Sequence, residues 1–261
     1  EPDLSEWREM VERMHSPRRS VRIGLVGKYV RLHDAYLSVA EAQRHAAWAQ
    51  DASAEIAWID AEELEKPEGE RLLSDLDGII VPGGFGLRGT EGMLAAARYA
   101  RERHLPYFGI CLGMQTAVIE FARDAAGLAG ANSGEFDPES PHKVIDFMPG
   151  QSESVDKGGT LRLGACPCEI VPGTTLARCY GQDEVWERHR HRYELNNAYR
   201  GRLTAAGLTL SGLSPDGKLV EAVELGSERF FVGVQYHPEF KSRPNRPHPL
   251  FTGFISAALE K

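Results

Sequence analysis

Short apolar runs recur through the first half of the chain, and each is followed by a segment with helical spacing of its apolar residues. Buried strands and amphipathic helices have these two patterns. We predict strands at residues 21–27, 54–59, 77–81 and 105–111, and helices at 35–49, 91–103 and 112–123. Strands that alternate with helices form right-handed βαβ units around a mostly parallel sheet. The active sites of such sheets lie at the carboxyl ends of the strands.

The pattern changes in the second half, where short apolar runs are separated by Gly, Pro and Asp turns. We predict strands in four of these runs, at residues 160–170, 208–214, 218–225 and 229–236. We interpret all four as antiparallel additions to the same domain. The predicted fold class is therefore α/β, with a mostly parallel central sheet flanked by helices and an antiparallel extension.

The first twenty residues differ from the rest of the chain. Leu4, Trp7, Val11 and Met14 are spaced three or four apart, as on one face of a short helix, and Pro17 then interrupts the pattern. We therefore divide the chain into a linker helix at residues 1–20 and one domain at residues 21–261.

The composition of the chain excludes several classes of protein. The chain has 261 residues, 42% of them hydrophobic and 26% charged, with a net charge of −8. Such a composition excludes low-complexity disorder, and the acidic balance argues against nucleic-acid binding. No apolar run is long enough for a spanning helix, and the first residues do not have the pattern of a secretion signal, so we expect a cytoplasmic protein that binds no membrane.

Four cysteines are too few for a disulfide framework in a chain of this length. Cys166 and Cys168 are too close together for a zinc knuckle, and no second pair completes one. We interpret them, like Cys179, as small apolar residues near strands, and we predict no metal site.

Cys111 stands in the sequence Gly-Ile-Cys-Leu-Gly at residues 109–113, between a predicted strand and a predicted helix. This G-x-C-x-G pattern is the thiol form of the nucleophile elbow. A helix N-terminus favours a thiolate, and the N–H of Leu112 would face a developing oxyanion. The alternative is a buried cysteine at a strand end between loop glycines.

A glycine-rich turn, Pro-Gly-Gly-Phe-Gly at residues 82–86, directly follows another predicted strand. Its exposed N–H groups suit either a phosphate or an oxyanion, and both interpretations stay open. The phosphate interpretation is the weaker one, because the spacing is not G-x-G-x-x-G and no Lys-Ser or Lys-Thr follows.

His237, Pro238 and Glu239 follow the apolar run at 229–236. Side chains two apart on an extended chain point the same way, so Glu239 can orient the ring of His237. The alternative is a simple turn at a strand end. With the Cys111 elbow and the glycine-rich turn, three strand ends supply a nucleophile, a base and oxyanion donors.

The basic run at residues 188–192 alternates arginine with histidine. If it is extended, His189 and His191 lie on one face and Arg188, Arg190 and Arg192 on the other. A solvated face is the usual interpretation of a charged run, and the His-x-His pair lacks a third metal ligand.

The motifs GICLGMQ, PGGFG and YHPEF together resemble those of class I glutamine amidotransferases, which use a Cys-His-Glu triad. Longer blocks, among them PGGFGLRGTEG, ANSGEFDP and QYHPEFKSRPNRPHPLF, are similar to the glutaminase domain of CTP synthases. The resemblance covers nearly the whole chain. It implies a flavodoxin-like α/β fold.

The resemblance also assigns roles to residues. It implies that Cys111 is the nucleophile, His237 the base and Glu239 the carboxylate that orients it. Gly84 and Leu112 match the oxyanion donors. The residues that match glutamine-binding positions are Gly84, Leu112, Gly113, Met114, Gln115, Glu135 and Arg192. A zwitterionic ligand needs an acceptor for its ammonium group and a cation for its carboxylate, and Glu135 and Arg192 supply one each.

The partners implied by the resemblance are L-glutamine and a synthetase domain that is absent from this sequence. On that domain, ATP and Mg²⁺ would serve the amination of UTP to CTP. GTP would act as an effector, and this chain would hold no cofactor. The segment GACPCEI departs from the family pattern, in which an aromatic residue is expected.

Two other functions remain open from the sequence. One is a γ-glutamyl peptide hydrolase or cysteine peptidase of similar fold. The other is a glutamine-binding regulatory module without turnover, because closure of the site can require a missing domain.

Overall fold

The computed structural model describes residues 2–147 and 162–260. The strands over these residues are β1 (Arg19–Gly27), β2 (Ala52–Asp60), β3 (Gly78–Val81), β4 (Tyr107–Ile110), β5 (Ala131–Ser133), β6 (His142–Phe147), β7 (Arg162–Ile170), β8 (Glu184–His191), β9 (Tyr193–Leu195), β10 (Thr209–Leu213), β11 (Val220–Glu224) and β12 (Phe231–Val234). The helices are α1 (Ser5–His15), α2 (Leu37–Trp48), α3 (Ala61–Leu64), α4 (Thr90–Glu102), α5 (Leu112–Asp124), α6 (Thr175–Tyr180), α7 (Arg200–Ala205) and α8 (Pro249–Leu259). The predicted strand at 160–170 begins with two residues that lie outside the described residues.

Nine of the described strands form one sheet in the order β2-β1-β3-β4-β12-β11-β10-β7-β8. The first five strands of this order are parallel to one another. β3 and β4 are buried along their full length, as expected for strands covered by helices on both faces. Their carboxyl ends therefore share one edge of the sheet. The predicted α/β class is confirmed.

The antiparallel extension consists of β11, β10, β7 and β8. The prediction for residues 229–236 is wrong in direction, because β12 lies in the parallel part and pairs parallel with β4. All four of its residues are buried. A continuous apolar run without alternation is typical of a parallel strand with both faces covered, and this signal distinguishes β12 from the other three runs.

Helices cover both faces of the parallel strands. α2 and α8 pack on one face, and α4 and α5 pack on the other. Each face has its own apolar core. Phe108, Phe251 and Phe254 belong to the first core, and Tyr107, Met93 and Met114 to the second. The strands that end at the candidate site are thus fixed by packing on both sides.

A second sheet, not predicted from the sequence, has the order β5-β6-β9. It packs against α5. Glu135 follows β5, and Tyr193 begins β9. This small sheet therefore carries residues to one side of the candidate site.

The predicted N-terminal helix is present as α1, and it contacts α2 and β2. Leu4, Trp7 and Val11 remain 45%, 47% and 43% exposed, so the described part of the chain leaves this apolar face uncovered. β1 begins at Arg19, two residues before the predicted start. None of the helices described is both long and apolar enough to cross a membrane.

Candidate active site

Cys111 occupies the turn between β4 and α5. Its φ of 53° and ψ of −101° are uncommon for a residue with a Cβ. Its N–H donates to the carbonyl of Val234 at 2.7 Å, and its own carbonyl accepts from the N–H of Gln115 at 3.2 Å. Neighbouring elements thus hold the turn on both sides. The strand-to-helix elbow predicted from the G-x-C-x-G pattern is confirmed.

The two glycines of this pattern allow the backbone to approach closely. A Cβ on Gly109 would lie 2.6 Å from the carbonyl oxygen of Gly113. A Cβ on Gly113 would lie only 2.0 Å from the carbonyl oxygen of Val81. Glycine at both positions therefore lets α5 start directly against β3 and β4.

His237 and Glu239 follow β12 at the same edge of the sheet. Nδ1 of His237 lies 2.8 Å from Oε1 of Glu239. The sequence argument assumed an extended chain between them, and this assumption is wrong. Pro238 begins a 3₁₀ turn that runs to Lys241. The turn still brings the carboxylate to the ring, so the predicted contact is present.

The sulfur of Cys111 lies beside this pair. Burial alone would lower the pKa of His237, but hydrogen bonding and charge interactions with Cys111 and Glu239 outweigh it and raise that pKa to about 10. The imidazole is therefore held protonated at neutral pH. A Cβ on Gly83 would lie 2.9 Å from Cε1 of His237 and 3.6 Å from Cβ of Cys111, so the glycine-rich loop borders both side chains.

Lys28, to which the sequence analysis assigned no role, holds this loop. Its side chain is buried, and Nζ donates to the carbonyls of Phe85 (3.4 Å) and Gly86. Burial lowers the pKa of Lys28 to about 8, although the charge of Glu135 opposes this shift. The N–H of Gly86 donates to Oε1 of Glu135 at 2.9 Å. Gly86 is thus hydrogen-bonded through both its carbonyl and its N–H.

A cavity of about 270 Å³ opens over Cys111. Five residues predicted for the site line it: Gly84, Cys111, Gln115, Glu135 and Arg192. Glu135 arrives from the small sheet, and Arg192 lies between β8 and β9. An acidic and a basic side chain therefore border one cavity together with the thiol.

The other three residues predicted to bind glutamine, Leu112, Gly113 and Met114, do not line this cavity. Leu112 is 1% exposed and Met114 is fully buried. A Cβ on Gly233 would lie 3.0 Å from Cγ of Met114, which places this side chain between α5 and β12. The carbonyl of Gly113 accepts from the Tyr107 hydroxyl at 2.8 Å. The side chains of Leu112 and Met114 therefore face the core.

The basic run forms the end of β8, and its alternation is confirmed. Arg188 and Arg190 are exposed, whereas His189 and His191 are buried. Arg192 departs from the expected solvated face, because β8 ends before it and its half-buried side chain lines the cavity.

The two buried histidines lie beside each other, with Nδ1 of His189 3.0 Å from Nε2 of His191. Burial, helped by the charge of Arg162, lowers the pKa of His189 to about 2 and that of His191 to about 3. Both rings are therefore neutral. Within residues 2–147 and 162–260, no three His, Cys, Asp or Glu side chains are grouped as metal ligands would be.

Gln235 is a residue that the sequence analysis missed. It is fully buried, and its Nε2 lies 3.6 Å from Sγ of Cys111. The available signal was its place directly after an apolar strand and two residues before His237.

Comparison with known proteins identifies the family of the chain. The sequence model of the family described as "Glutamine amidotransferase class-I" matches residues 31–257. The CTP synthase of Carboxydothermus hydrogenoformans is 61% identical over 260 residues, which are 100% of this chain and 49% of that protein. The CTP synthase of Thermomicrobium roseum is 61% identical over 258 residues, 99% of this chain and 46% of that protein. The chain thus spans about half the length of the curated relatives it matches.

The same family appears among solved structures. The glutaminase domain of Trypanosoma brucei CTPS with bound acivicin superposes with a TM-score of 0.87 and 45% identity, covering 92% of this chain and 94% of that one. At such identity and coverage the likeness extends beyond the fold. The chain therefore belongs to the class I glutamine amidotransferases and is homologous to the glutaminase domain of CTP synthases.

Proposed function

We propose that this chain hydrolyses the side-chain amide of L-glutamine through a γ-glutamyl thioester on Cys111. The observation that supports it most is the position of Cys111, on the elbow, beside the His237–Glu239 pair and in the same cavity as Glu135 and Arg192. A nucleophile, a proton carrier and two opposite charges for a zwitterion are the groups that this reaction needs.

In the first step, the thiolate of Cys111 attacks the amide carbon. The N–H groups of Leu112 and Gly84 receive the developing oxyanion, and each such donor is worth about 3–4 kcal/mol in comparable sites. The His237 imidazolium gives its proton to the leaving nitrogen. The carbon–nitrogen bond breaks, and ammonia leaves the γ-glutamyl thioester behind.

In the second step, neutral His237 takes a proton from water, which attacks the thioester. The carbon–sulfur bond breaks, with Cys111 again a thiolate and His237 again protonated. The product leaves as glutamate after its new γ-carboxylic acid has lost its proton to water. Glu239 stabilises the charged ring in both steps through its contact with Nδ1.

The substrate is oriented by charge. Glu135 would accept the α-ammonium group, and Arg192 would bind the α-carboxylate. The backbone of Leu112, Gly113 and Met114 and the side chain of Gln115 complete the binding residues. The buried side chains of Leu112 and Met114 restrict these two residues to main-chain contacts.

The relatives that are about twice as long support a proposal for the activity of the whole protein. We propose that ammonia passes to a synthetase domain, where ATP and Mg²⁺ drive the amination of UTP to CTP in the cytoplasm. GTP is proposed as an effector of the combined enzyme, and no cofactor is assigned to this chain. Residues 1–20 would join the synthetase to the amidotransferase domain at 21–261.

The test measures ammonia and glutamate released from L-glutamine, with a γ-glutamyl peptide as the competing substrate. Cys111→Ala should abolish release, and Cys166→Ala, at a half-buried thiol on β7, should not. Arg192→Ala should mainly raise KM. Preference for the peptide would overturn the proposal.

A diazoketone analogue of glutamine tests the site even where turnover needs the second domain. We expect it to label Cys111, and glutamine should protect that residue from the label. Labelling at another residue would remove Cys111 from the mechanism.

A further inference from the structure

The environment of the Cys111 sulfur includes an amide that the mechanism above does not use. Gln235 is fully buried, and its Nε2 lies 3.6 Å from Sγ of Cys111. β12 and β4 pair in register, with Val234 opposite Ile110, so the next residues of the two chains are neighbours. The contact is therefore a consequence of the sheet itself.

The orientation of this amide is fixed by a second glutamine. Nε2 of Gln115 donates to Oε1 of Gln235 at 3.1 Å and to the carbonyl of Tyr193 at 2.9 Å. A main-chain carbonyl only accepts, so it determines which end of Gln115 is the NH₂ group. That group in turn requires the oxygen of Gln235 to face it, which directs the NH₂ group of Gln235 to the sulfur.

We infer that Gln235 is a positioning residue that stabilises the thiolate of Cys111 by donating a hydrogen bond to it. The inference rests on the proposed function in taking Cys111 as the nucleophile. A donor that cannot lose its proton favours the charged form of its acceptor at every pH. The relay starts at Tyr193 and Gln115, which both line the cavity, and thus connects the cavity wall to the sulfur.

Other charged or titratable groups also lie around the sulfur. His237, paired with Glu239, follows the same strand, and the cavity wall adds Glu135, Arg190, His191, Arg192 and Tyr193. Gln235→Met keeps all of them and adds no charge, so a difference between this variant and the wild type reports the amide, whereas Gln235→Glu also adds a carboxylate.

The experiment follows alkylation of Cys111 by iodoacetamide as a function of pH, with the Cys111 peptide quantified by mass spectrometry. Gln235→Met keeps the length of the side chain and removes the donor. We expect its alkylation profile to move by about one unit to higher pH, because one hydrogen bond to a charged group changes the thiolate fraction about tenfold. Gln235→Glu still accepts from Gln115 but offers the sulfur no donor while ionised, and it should shift the profile in the same direction.

Gln50→Leu is the matched control. This half-buried amide donates to the carbonyls of Ala46 and Thr252, near the opposite edge of the sheet, and its removal should leave the profile unchanged. Thermal unfolding shows which variants are folded, and if Gln235→Met does not fold, Gln235→Leu, which also lacks the donor and adds no charge, decides. A wild-type profile in a folded variant at position 235 would overturn the inference.

Glutamine hydrolysis separates this inference from the proposed function. We expect Gln235→Met to lower kcat about tenfold with a smaller change in KM, because Gln115 loses its contact with Gln235 but keeps its contact with the carbonyl of Tyr193. If the alkylation profile shifts while the wild-type protein releases no ammonia from glutamine, only the proposed function fails. If the wild-type protein hydrolyses glutamine and the profile does not shift, only the role of Gln235 fails.

Discussion

Replacing Cys111 with glycine should leave the protein more stable than replacing it with alanine. Both variants lack the thiol, and they differ by one methyl group. At φ 53° and ψ −101° that methyl group is strained, because a residue with a Cβ avoids this conformation. The hydrogen bonds of Cys111 to Val234 and Gln115 prevent the backbone from moving to a better one.

Three contributions determine the difference in unfolding free energy between the two variants. One favours glycine, and two favour alanine. Backbone strain at such a site costs about 1–3 kcal/mol, and the ψ value lies far from the small left-handed well, which favours the upper part of this range. Glycine lowers the free energy of unfolding by about 0.4–1 kcal/mol, because it gives the unfolded chain more conformational freedom. The buried methyl group of alanine contributes about 0.8 kcal/mol. We expect a net advantage of about 1 kcal/mol for Cys111→Gly.

Urea unfolding of the two variants measures this difference. Ala95→Gly, within α4, is the control, because an ordinary helical position should lose about 1 kcal/mol on the same change from alanine to glycine. The two sites should therefore respond with opposite sign. If Cys111→Ala is as stable as Cys111→Gly, the elbow imposes no strain and the reasoning is wrong.

Three further predictions concern stability. Gly113→Ala should cost about 3 kcal/mol or more, because its Cβ would lie 2.0 Å from a main-chain oxygen of β3, whereas Gly201→Ala has no atom within 4 Å and should stabilise α7 by about 0.5 kcal/mol in thermal unfolding. Burial raises the pKa of Glu194 to about 7 from 4.5, so the free energy of unfolding of the wild-type protein falls by about 3 kcal/mol as the pH rises from 4.5 to above 7. Urea titrations at pH 5 and pH 8 should therefore show an advantage of Glu194→Gln that grows with pH, and a constant difference would contradict this. Arg101→Met should cost about 2–4 kcal/mol because it leaves the buried carboxylate of Glu120 unpaired, and adding Glu120→Gln should restore part of the loss.

Much of the parallel half could be predicted from the sequence. The boundaries of β1 to β4 and of α2, α4 and α5 agree with the predictions within two residues. These elements are long or continuously apolar, because helices cover the strands on both faces. In such segments the hydrophobic pattern follows directly from burial.

The small sheet could not be predicted in the same way. β5 and β9 have only three residues each, which is too short for a period of two to be recognised. Their pairing with β6 connects segments far apart in the sequence. The position of Glu135 therefore came from the family resemblance and not from the pattern.

Two of the residues identified at the site, Cys111 and His237, stand beside glycine or proline signals that Gln235 lacks. Cys111 stands between glycines and His237 precedes a proline, because the backbone must turn sharply where these side chains meet. Gln235 directly follows β12, and its contact with Cys111 spans 124 residues, so its place two residues before His237 is the only mark beside it in the sequence. The sequence analysis missed this residue because it predicted the wrong direction for β12. Once this strand is placed parallel to β4 with Val234 opposite Ile110, the register alone brings Gln235 beside the sulfur. Errors in strand pairing therefore hide the residues that position a nucleophile, even where the nucleophile itself is evident from its motif.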